Sequence, residues 1–559
     1  MTQTIKLKGG SAVVECLKQE GVRYVFGIPG GQNLAIMDAL YDAAPDIQFI
    51  TAHDERGAAC MADGYARLTG KPGVCLVTTG PGATNLLTGV GGAFRDSSPV
   101  ILLTANNRSA DLQRDNAQEA DHVALFETLT KWSMMVTHVD RIPHAMREGF
   151  RRALTGCPGP VHLDFARENL EDEYVEYTPL KPEQYRTEAR ARGDADAIAR
   201  AAELLSNAER PAIWAGRGVL VSEATSALVE LAEALEVPMV TTYNGIGSLP
   251  ADHRLAFGPK SRHGTKVTKQ VVSDADLLLV IGNSLNAPTT HRWGVKLTDN
   301  IVQIDIDPAI VGRHYPIRVG IVGDAQSVTK DLSAEAAKSA PSESVLAARR
   351  DWAERLRGEH SAWKESIFKS EYATAQPIKP QYLMESIREA FPREAIVVGG
   401  AGNPGIWTNL IEIYDPGTYI KPVGFGNMGF ALPAAIGAKL ACPQQPVVTV
   451  IGDGSLGMCI SEIETAVREN APVVIVLMNN FGYGNIKQEQ LVFFGPRYIG
   501  VDFSDIQFVD IAKGFGADGE RVEKPGDLPA ALKRGLDSGK TYLLDVLIDP
   551  DENVWTEPF

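Results

Sequence analysis

Asp453 sits in "VVTVIGDGSLG" and Asn480 closes "APVVIVLMNN", with a helix-like stretch between them. "PVVTVIGDG" reads as a buried strand ending in a tight turn, "SEIETAVREN" shows an apolar helix face at Ile463 and Val467, and "APVVIVLMNN" reads as the next strand. In a right-handed β-α-β crossover the two parallel strands are commonly neighbours about 4.8 Å apart, so Asp453 and Asn480 should converge on one point. A carboxylate, an amide oxygen and a backbone carbonyl from the following turn, that of Gly482, make a hard-oxygen set with one charge and room for other ligands. Mg²⁺ held partly by phosphate oxygens has that pattern. Gly454 and Ser455 fall where the backbone opens toward a helix start, whose amides favour a phosphate. A lone GDG is commonly a structural turn; the asparagine pair at the next strand end turns it into a strong sign.

GDG followed by NN resembles the fingerprint of enzymes that bind thiamine diphosphate. That cofactor implies a carboxyl group elsewhere in the chain, to share a proton with its aminopyrimidine ring. "IQFITAHDERGAACMADGYARLTG" offers Glu55, just past a strand end and before a small-residue helix. Shielded there, its carboxyl could exchange a proton with a ring nitrogen; the plainer reading is a first-turn glutamate favoured by the helix dipole. The surrounding residues resemble the "HE…AA…A.GYAR" signature of the thiamine diphosphate 2-oxo acid enzymes.

Further segments are similar to the acetolactate synthase branch of that family: "FGIPGG" (26 to 31), "TTGPGATNLLTGVGGAFRDSSPVI" (78 to 101), "GPVHLDF" (159 to 165), "DIDPA" (305 to 309) and "GFGNMGFALPAAIGAKLA" (424 to 441). The resemblance implies cofactor contacts at Pro29, Gly31, Pro81, Asn85, Gly402, Asn403, Gly426, Met428, Gly454, Ser455, Gly482, Tyr483 and Gly484. Among these, Asn85 would meet the pyrimidine, Gly402 and Asn403 the diphosphate, and Met428 would wedge beneath the cofactor. It implies Mg²⁺ on Asp453, Asn480 and Gly482, and Gln118 facing the reaction centre beside catalytic Glu55. In relatives the glutamate and the diphosphate-binding domain come from different subunits, so the resemblance also implies a homodimer or homotetramer.

The implied activity is the making or breaking of a C–C bond beside a carbonyl, with a pyruvate-like 2-oxo acid as donor and a second carbonyl compound as acceptor. The cofactor supplies the electron sink and the protein supplies orientation, metal and a dry pocket. Three departures bear on the substrate. Where acetolactate synthases have an arginine-rich "RFDDR", this chain has "NSLNAPT" (283 to 289), which removes an arginine partner for an acceptor carboxylate and for flavin. Glu489 replaces a tryptophan and Asn485 a methionine in "GNIKQEQ", and "NAQEAD" has alanine for phenylalanine. An acetolactate synthase, a benzaldehyde lyase-like or decarboxylase enzyme, and a non-catalytic regulatory homologue all stay open. "WAGRGV" (214 to 219) and "GPKSRHG" (258 to 264) resemble flavin-binding places, but a Rossmann-type turn accounts for "GRG", and FAD is slightly disfavoured.

The elements that must position these residues follow from the rhythm of the chain. Short β-branched runs alternate with helical stretches throughout, the pattern of parallel sheets covered by helices. Polar or helical links near 180 to 192 and 330 to 375 divide it into three doubly wound α/β domains: 1-180 (pyrimidine-binding), 190-335 (central) and 370-550 (diphosphate-binding). Such sheets bind ligands beyond the carboxyl ends of their strands. With 559 residues, 44% apolar and 22% charged, the composition is that of a globular protein. The net charge of −16 and the lack of a long basic run argue against nucleic acid or an anionic membrane as partner. Six scattered cysteines, no signal-like start and no apolar run near the ~20 residues of a membrane helix point to the cytoplasm.

Overall fold

A computed structural model describes residues 4–554. Three six-stranded, wholly parallel sheets follow one another along the chain. The first has the spatial order Gln48–Thr51, Tyr24–Gly27, Gly73–Val77, Val100–Asn106, Val161–Ala166, Trp132–Val136. The third runs Tyr419–Ile420, Ile396–Gly399, Val447–Gly452, Val474–Asn479, Tyr542–Leu547, Asp518–Val522. Counted along each domain, the two orders are the same, so the architectural likeness of the first and last thirds extends to their connectivity. The central sheet is ordered Ala256–Pro259, Met239–Thr241, Pro211–Ala215, Leu277–Ile281, Ile301–Asp305, Val319–Val322, the 3-2-1-4-5-6 arrangement of dinucleotide-binding folds.

The inner strands are apolar on both faces because helices cover both sides. Gly73–Val77, Val100–Asn106 and Val474–Asn479 are buried along their whole length. Ile5–Lys8 and Tyr174–Tyr177 form a small antiparallel pair that ties the two ends of the first domain together.

The first and third domains share one core. The helix Glu55–Thr69 lies against Ala431–Ala441, and both carry several alanines and glycines. A Cβ on Gly64 would fall 2.2 Å from the Ala434 carbonyl oxygen, and one on Gly437 would fall 2.0 Å from that of Met61. Only backbone-to-backbone packing of the two helices fits there, and it fixes where the helix carrying Glu55 begins. Asp96, 2% exposed, ties the three domains together. It accepts from Arg67 (3.1 Å) in its own domain, Asn244 (2.7 Å) in the central domain, and the Val423 (3.1 Å) and Gly424 (2.7 Å) amides of the third. That anchors the start of the loop leading to Met428. The 330 to 375 link is largely the helix Glu343–Ile367, laid on the central domain by the buried Arg349, which donates to the Leu205 (2.6 Å), Ala208 (2.7 Å) and Leu235 (2.8 Å) carbonyls.

Candidate active site

Val447–Gly452 and Val474–Asn479 are hydrogen-bonded neighbours, with Gly452 opposite Met478, so the crossover ends side by side. Asp453 opens the short helix Asp453–Gly457 and is 3% exposed. Its carboxylate accepts from the amides of Gly454 (2.7 Å), Gly482 (2.9 Å) and Asn480 (3.3 Å). Burial pushes this carboxyl up to about 6, against the pull of the Gly482, Gly454 and Asn480 amides. Three amides leave part of its acceptor capacity open, and a cation there would offset its burial.

The two asparagines have different tasks. Asn479 is buried and donates to Asp545 (2.8 Å) while accepting from the Phe481 amide (3.1 Å), so it anchors the turn to the neighbouring strand. Asn480 is half-buried and stands at the turn with Asp453. The turn tolerates no side chain on its glycines: a Cβ on Gly482 would meet the Val501 carbonyl oxygen at 2.1 Å, and one on Gly484 the Asn480 amide nitrogen at 2.2 Å. Tyr483 lies between them with its ring edge-on to Phe503.

Around this turn the structure places Gly402, exposed with φ 70°, and the buried Asn403, whose amide donates to Gln488 (3.1 Å). Ser455 accepts from the Gly429 amide at 2.9 Å, which joins the Met428 loop to the Asp453 helix. Gly426 is exposed and Met428 half-buried. The amide oxygens of Asn403, Asn427 and Asn485 are withdrawn from water and have no hydrogen-bond partner. Unpaired buried polar atoms are uncommon in folded proteins. Amide oxygens only accept, so those of Asn403 and Asn485, together with the buried carboxylate, fit a cofactor that brings a cation; that of Asn427 faces Gly92 of the first domain.

The other half of the candidate site is built by the first domain. Glu55 begins its helix, with Asp54 capping through the Arg56 amide (2.8 Å). Glu55 is 8% exposed and accepts from Asn85 at 3.0 Å. Asn85 and Pro81 lie exposed on the helix Pro81–Arg95, and Pro29 and Gly31 are exposed beyond the neighbouring strand Tyr24–Gly27. Gln118 is exposed in a loop at φ 58°. Its carbonyl lies where a Cβ on Gly80, itself at φ 58°, would come within 2.1 Å. In one chain the Glu55 and Asp453 networks share no hydrogen bond among the described residues.

Two supports of this half carry no motif. Glu462, fully buried, accepts from the His53 (3.1 Å) and Asp54 (3.2 Å) amides and thereby docks the start of the Glu55 helix onto the third domain. Behind Gly80 runs a buried chain of polar groups. The Gly80 amide donates to His122 Nε2 (2.9 Å), so the ring proton sits on Nδ1 and goes to Asp164 (2.9 Å). Asp164 also accepts from Thr104 (2.6 Å) and Asn106 (2.7 Å). Burial alone would raise the Asp164 carboxyl, but the hydrogen bonds it receives, that from His122 foremost and that from Thr104, outweigh it and leave it below the usual carboxylate range. His162, bonded to Thr104, is pushed down to about 3 by burial.

In the central domain, "NSLNAPT" forms a turn in which Asn286 caps the short helix Ala287–Thr290. Arg292 is exposed at φ 55°. Burial lowers Arg262, the Glu489 carboxylate acts the other way and the Arg292 guanidinium adds to the lowering, so both charges act on Arg262. At the flavin-like turn, a Cβ on Gly216 would lie 2.1 Å from the Gly282 carbonyl oxygen, and one on Gly282 2.5 Å from the Gly218 Cα. The glycines there serve the packing of two loops.

Comparison with known proteins gives the family. Residues 7–125 match the N-terminal TPP binding domain of thiamine pyrophosphate enzymes, residues 198–332 their central domain, and residues 400–546 their C-terminal TPP binding domain. The chain is 36% identical to the probable acetolactate synthase large subunit of Methanocaldococcus jannaschii, over 98% of this chain and 93% of that protein. It is 33% identical to the acetolactate synthase isozyme 2 large subunit of Escherichia coli (98% and 97% covered) and 32% identical to the acetolactate synthase large subunit of Corynebacterium glutamicum (98% and 88%). The chain belongs to the thiamine pyrophosphate-dependent enzymes, on their acetolactate synthase-like branch.

Proposed function

We propose that this enzyme joins or cleaves C–C bonds beside a carbonyl, taking a pyruvate-like 2-oxo acid as donor and a second carbonyl compound as acceptor, and giving 2-hydroxy ketones or acetolactate-like acids. The observation that carries this reading is the convergence of a buried Asp453 with the Asn480–Gly482 turn, in a chain that also buries Glu55 against Asn85. Asp453, Asn480 and the Gly482 carbonyl would hold Mg²⁺. Gly402, Asn403, Gly454, Ser455 and Gly484 would hold the diphosphate, and Pro29, Gly31, Pro81, Asn85, Gly426, Met428 and Tyr483 the rest of the cofactor. Bound thiamine diphosphate supplies the electron sink. Glu55 exchanges the proton of the aminopyrimidine ring, Asn85 orients the Glu55 carboxylate, and Gln118 faces the reacting carbonyl.

The acceptor end of the site departs from the acetolactate synthase pattern, and Glu489 with Arg262 and Arg292 supports a polar acceptor pocket. Flavin stays outside this reading, because the glycines at its expected place are accounted for by packing. The enzyme works as a homodimer or homotetramer with shared sites. In support, Asn85, Gln118, Gly426 and Phe425 all lie exposed in a single chain. A cytoplasmic setting suits its six free cysteines, and no helix among the described residues is long and apolar enough to cross a membrane.

Incubation with thiamine diphosphate, Mg²⁺, pyruvate and a panel of aldehydes and oxo acids, with products identified by mass spectrometry, tests the acceptor assignment. Mixed 2-hydroxy ketones support the broader carboligase, acetolactate from pyruvate alone supports the narrow one, and acetaldehyde as sole product would contradict both.

A further inference from the structure

The Asn480–Gly482 turn is braced by a residue from the edge of the third sheet. Arg521 lies on the edge strand Asp518–Val522, directly opposite Asp545 on the inner strand Tyr542–Leu547, which in turn pairs with Val474–Asn479. Asp545 is fully buried and its two oxygens are divided. Oδ1 accepts from Asn479 at 2.8 Å and Oδ2 from Arg521 Nε at 2.8 Å. Burial raises this carboxyl against the pull of the Asn479 and Arg521 hydrogen bonds. Without Arg521 it would move further toward the protonated form, the weaker acceptor.

The far end of the guanidinium reaches the chain on the other side of the turn. Arg521 Nη2 donates to Asp505 Oδ1 (2.7 Å) and to the Ile506 carbonyl (3.2 Å), and Nη1 donates to Asp505 Oδ2 (3.1 Å). Asp505 follows a segment that pairs with the turn itself. The Tyr483 amide donates to the Val501 carbonyl (2.8 Å), and the Phe503 amide donates to the Phe481 carbonyl (2.7 Å).

Phe481 is the residue that needs such bracing. It stands between Asn480 and Gly482 at φ 59°, in the left-handed region that a bulky side chain rarely enters. Such a backbone persists only where its surroundings fix it. Each arm supplies one hydrogen bond to it: Asn479 Oδ1 accepts the Phe481 amide (3.1 Å) on the Asp545 side, and Phe503 holds the Phe481 carbonyl on the Asp505 side. The Asn480 and Gly482 amides on either side go to Asp453, so a shift at Phe481 moves the whole candidate cation site.

We propose that Arg521 is a positioning residue for this cation site, fixing the Phe481 backbone through Asp545 and Asn479 on one side and through Asp505 on the other. This role presupposes that Asp453, Asn480 and the Gly482 carbonyl are the cation ligands. None of the hydrogen-bond partners of Arg521 is itself one of them.

Titration of Mn²⁺, a cation that takes the same oxygen ligands as Mg²⁺, into the full-length protein with saturating thiamine diphosphate tests this, free Mn²⁺ being read from its electron paramagnetic resonance signal. The parent should bind one Mn²⁺ per chain. Arg521→Met should bind it about tenfold more weakly, the effect of removing a group that orients a metal ligand. Arg521→Lys, with one nitrogen in place of three, should fall between the two. Asp505→Asn, a change at an exposed carboxylate, should weaken binding less than Arg521→Met. Circular dichroism checks that each variant is folded; should Arg521→Met not fold, the other two decide. An ion pair that only stabilises the sheet would lower the melting temperature and leave Mn²⁺ affinity alone, so parental affinity in the folded variants would overturn the proposal. Asp453→Ala separates the two levels. Parental Mn²⁺ affinity there would remove the ligand assignment and this inference with it, whereas loss in Asp453→Ala beside parental affinity in the Arg521 variants would refute Arg521 alone.

Discussion

Replacing His122 by phenylalanine removes both ring nitrogens while keeping an aromatic ring in the same buried place. The Gly80 amide then loses its acceptor, and Asp164 keeps Thr104 and Asn106 but loses the imidazole. An orphaned buried amide costs about 1–3 kcal/mol and a lost hydrogen bond to a charged group about 1.5–3 kcal/mol, so the pair should cost roughly 3–5 kcal/mol. Because the first and third domains share one core, they melt as one larger unit, whose apparent melting temperature falls by about 5 °C. Stability alone does not distinguish positioning from packing, so the informative readout is turnover. Gly80 precedes Pro81, and its missing Cβ is what lets the Gln118 carbonyl approach; its release should displace both halves of the loop that faces the substrate. His122→Gln can still offer an acceptor near the Nε2 position, whereas His122→Asn can only replace the Nδ1 contact to Asp164. His122→Gln should therefore keep more of kcat/KM than His122→Asn, although both melt earlier than the parent. The reverse ranking, or a phenylalanine variant with parental melting and turnover, would refute the argument that His122 acts on the site through Gly80.

Glu55→Gln preserves an acceptor for Asn85 and should bind thiamine diphosphate normally, yet turn over about 10²–10⁴-fold more slowly, the usual worth of a positioned proton-transfer group; parental turnover at saturating cofactor would remove Glu55 from the proton path. Asp453→Ala should lose cofactor affinity in Mg²⁺ buffer, and unchanged affinity would rule out Asp453 as a ligand. If sites are shared between subunits, co-expressed Glu55→Gln and Asp453→Ala chains should form hybrids with restored activity, whereas sites built within one chain would leave every hybrid inactive. Lys421, its ammonium donating to the Gly405 (2.8 Å) and Asn409 (2.7 Å) oxygens, is pushed by burial from 10.5 down to about 7. The unfolded chain thus binds the extra proton between about pH 7 and 10.5, so this residue makes stability rise with pH by up to about 1.4 kcal/mol per unit across that window. Lys421→Met should remove that slope in denaturant unfolding followed against pH, and identical slopes in the two proteins would contradict the assignment.

The parts of the molecule legible in the sequence are those whose physics is local. "PVVTVIGDG" and "PVVIVLMNN" are inner strands, buried on both faces and therefore almost continuously apolar. The edge strands Trp132–Val136 and Asp518–Val522, and the outer strand Val319–Val322, are half-exposed or alternate between buried and exposed. They lack that run, so local pattern does not mark them as strands. The meeting of Asp453 with the Asn480 turn was legible because one crossover guarantees it. What holds Glu55 and Gln118 was not, because the partners lie far apart in the chain: Glu462 is 408 residues from the Asp54 amide it receives, and His122 is 42 from Gly80. The division of labour within the asparagine pair also needed the neighbouring strand, since it is Asp545 that claims Asn479.

The central claim is that this chain breaks the bond beside a 2-oxo acid carbonyl at a site assembled around Asp453, Asn480 and Glu55. The most direct test is the consumption of ¹³C-labelled pyruvate by the purified protein, followed by NMR with thiamine diphosphate and Mg²⁺ added, withheld singly, or supplied with EDTA. The account predicts labelled CO₂ and a labelled C–C product only when cofactor and cation are both present, formed about 10²–10⁴-fold more slowly with the Glu55→Gln variant. Pyruvate left intact in the complete mixture with every acceptor tried, or consumed equally without the cofactor, would contradict it.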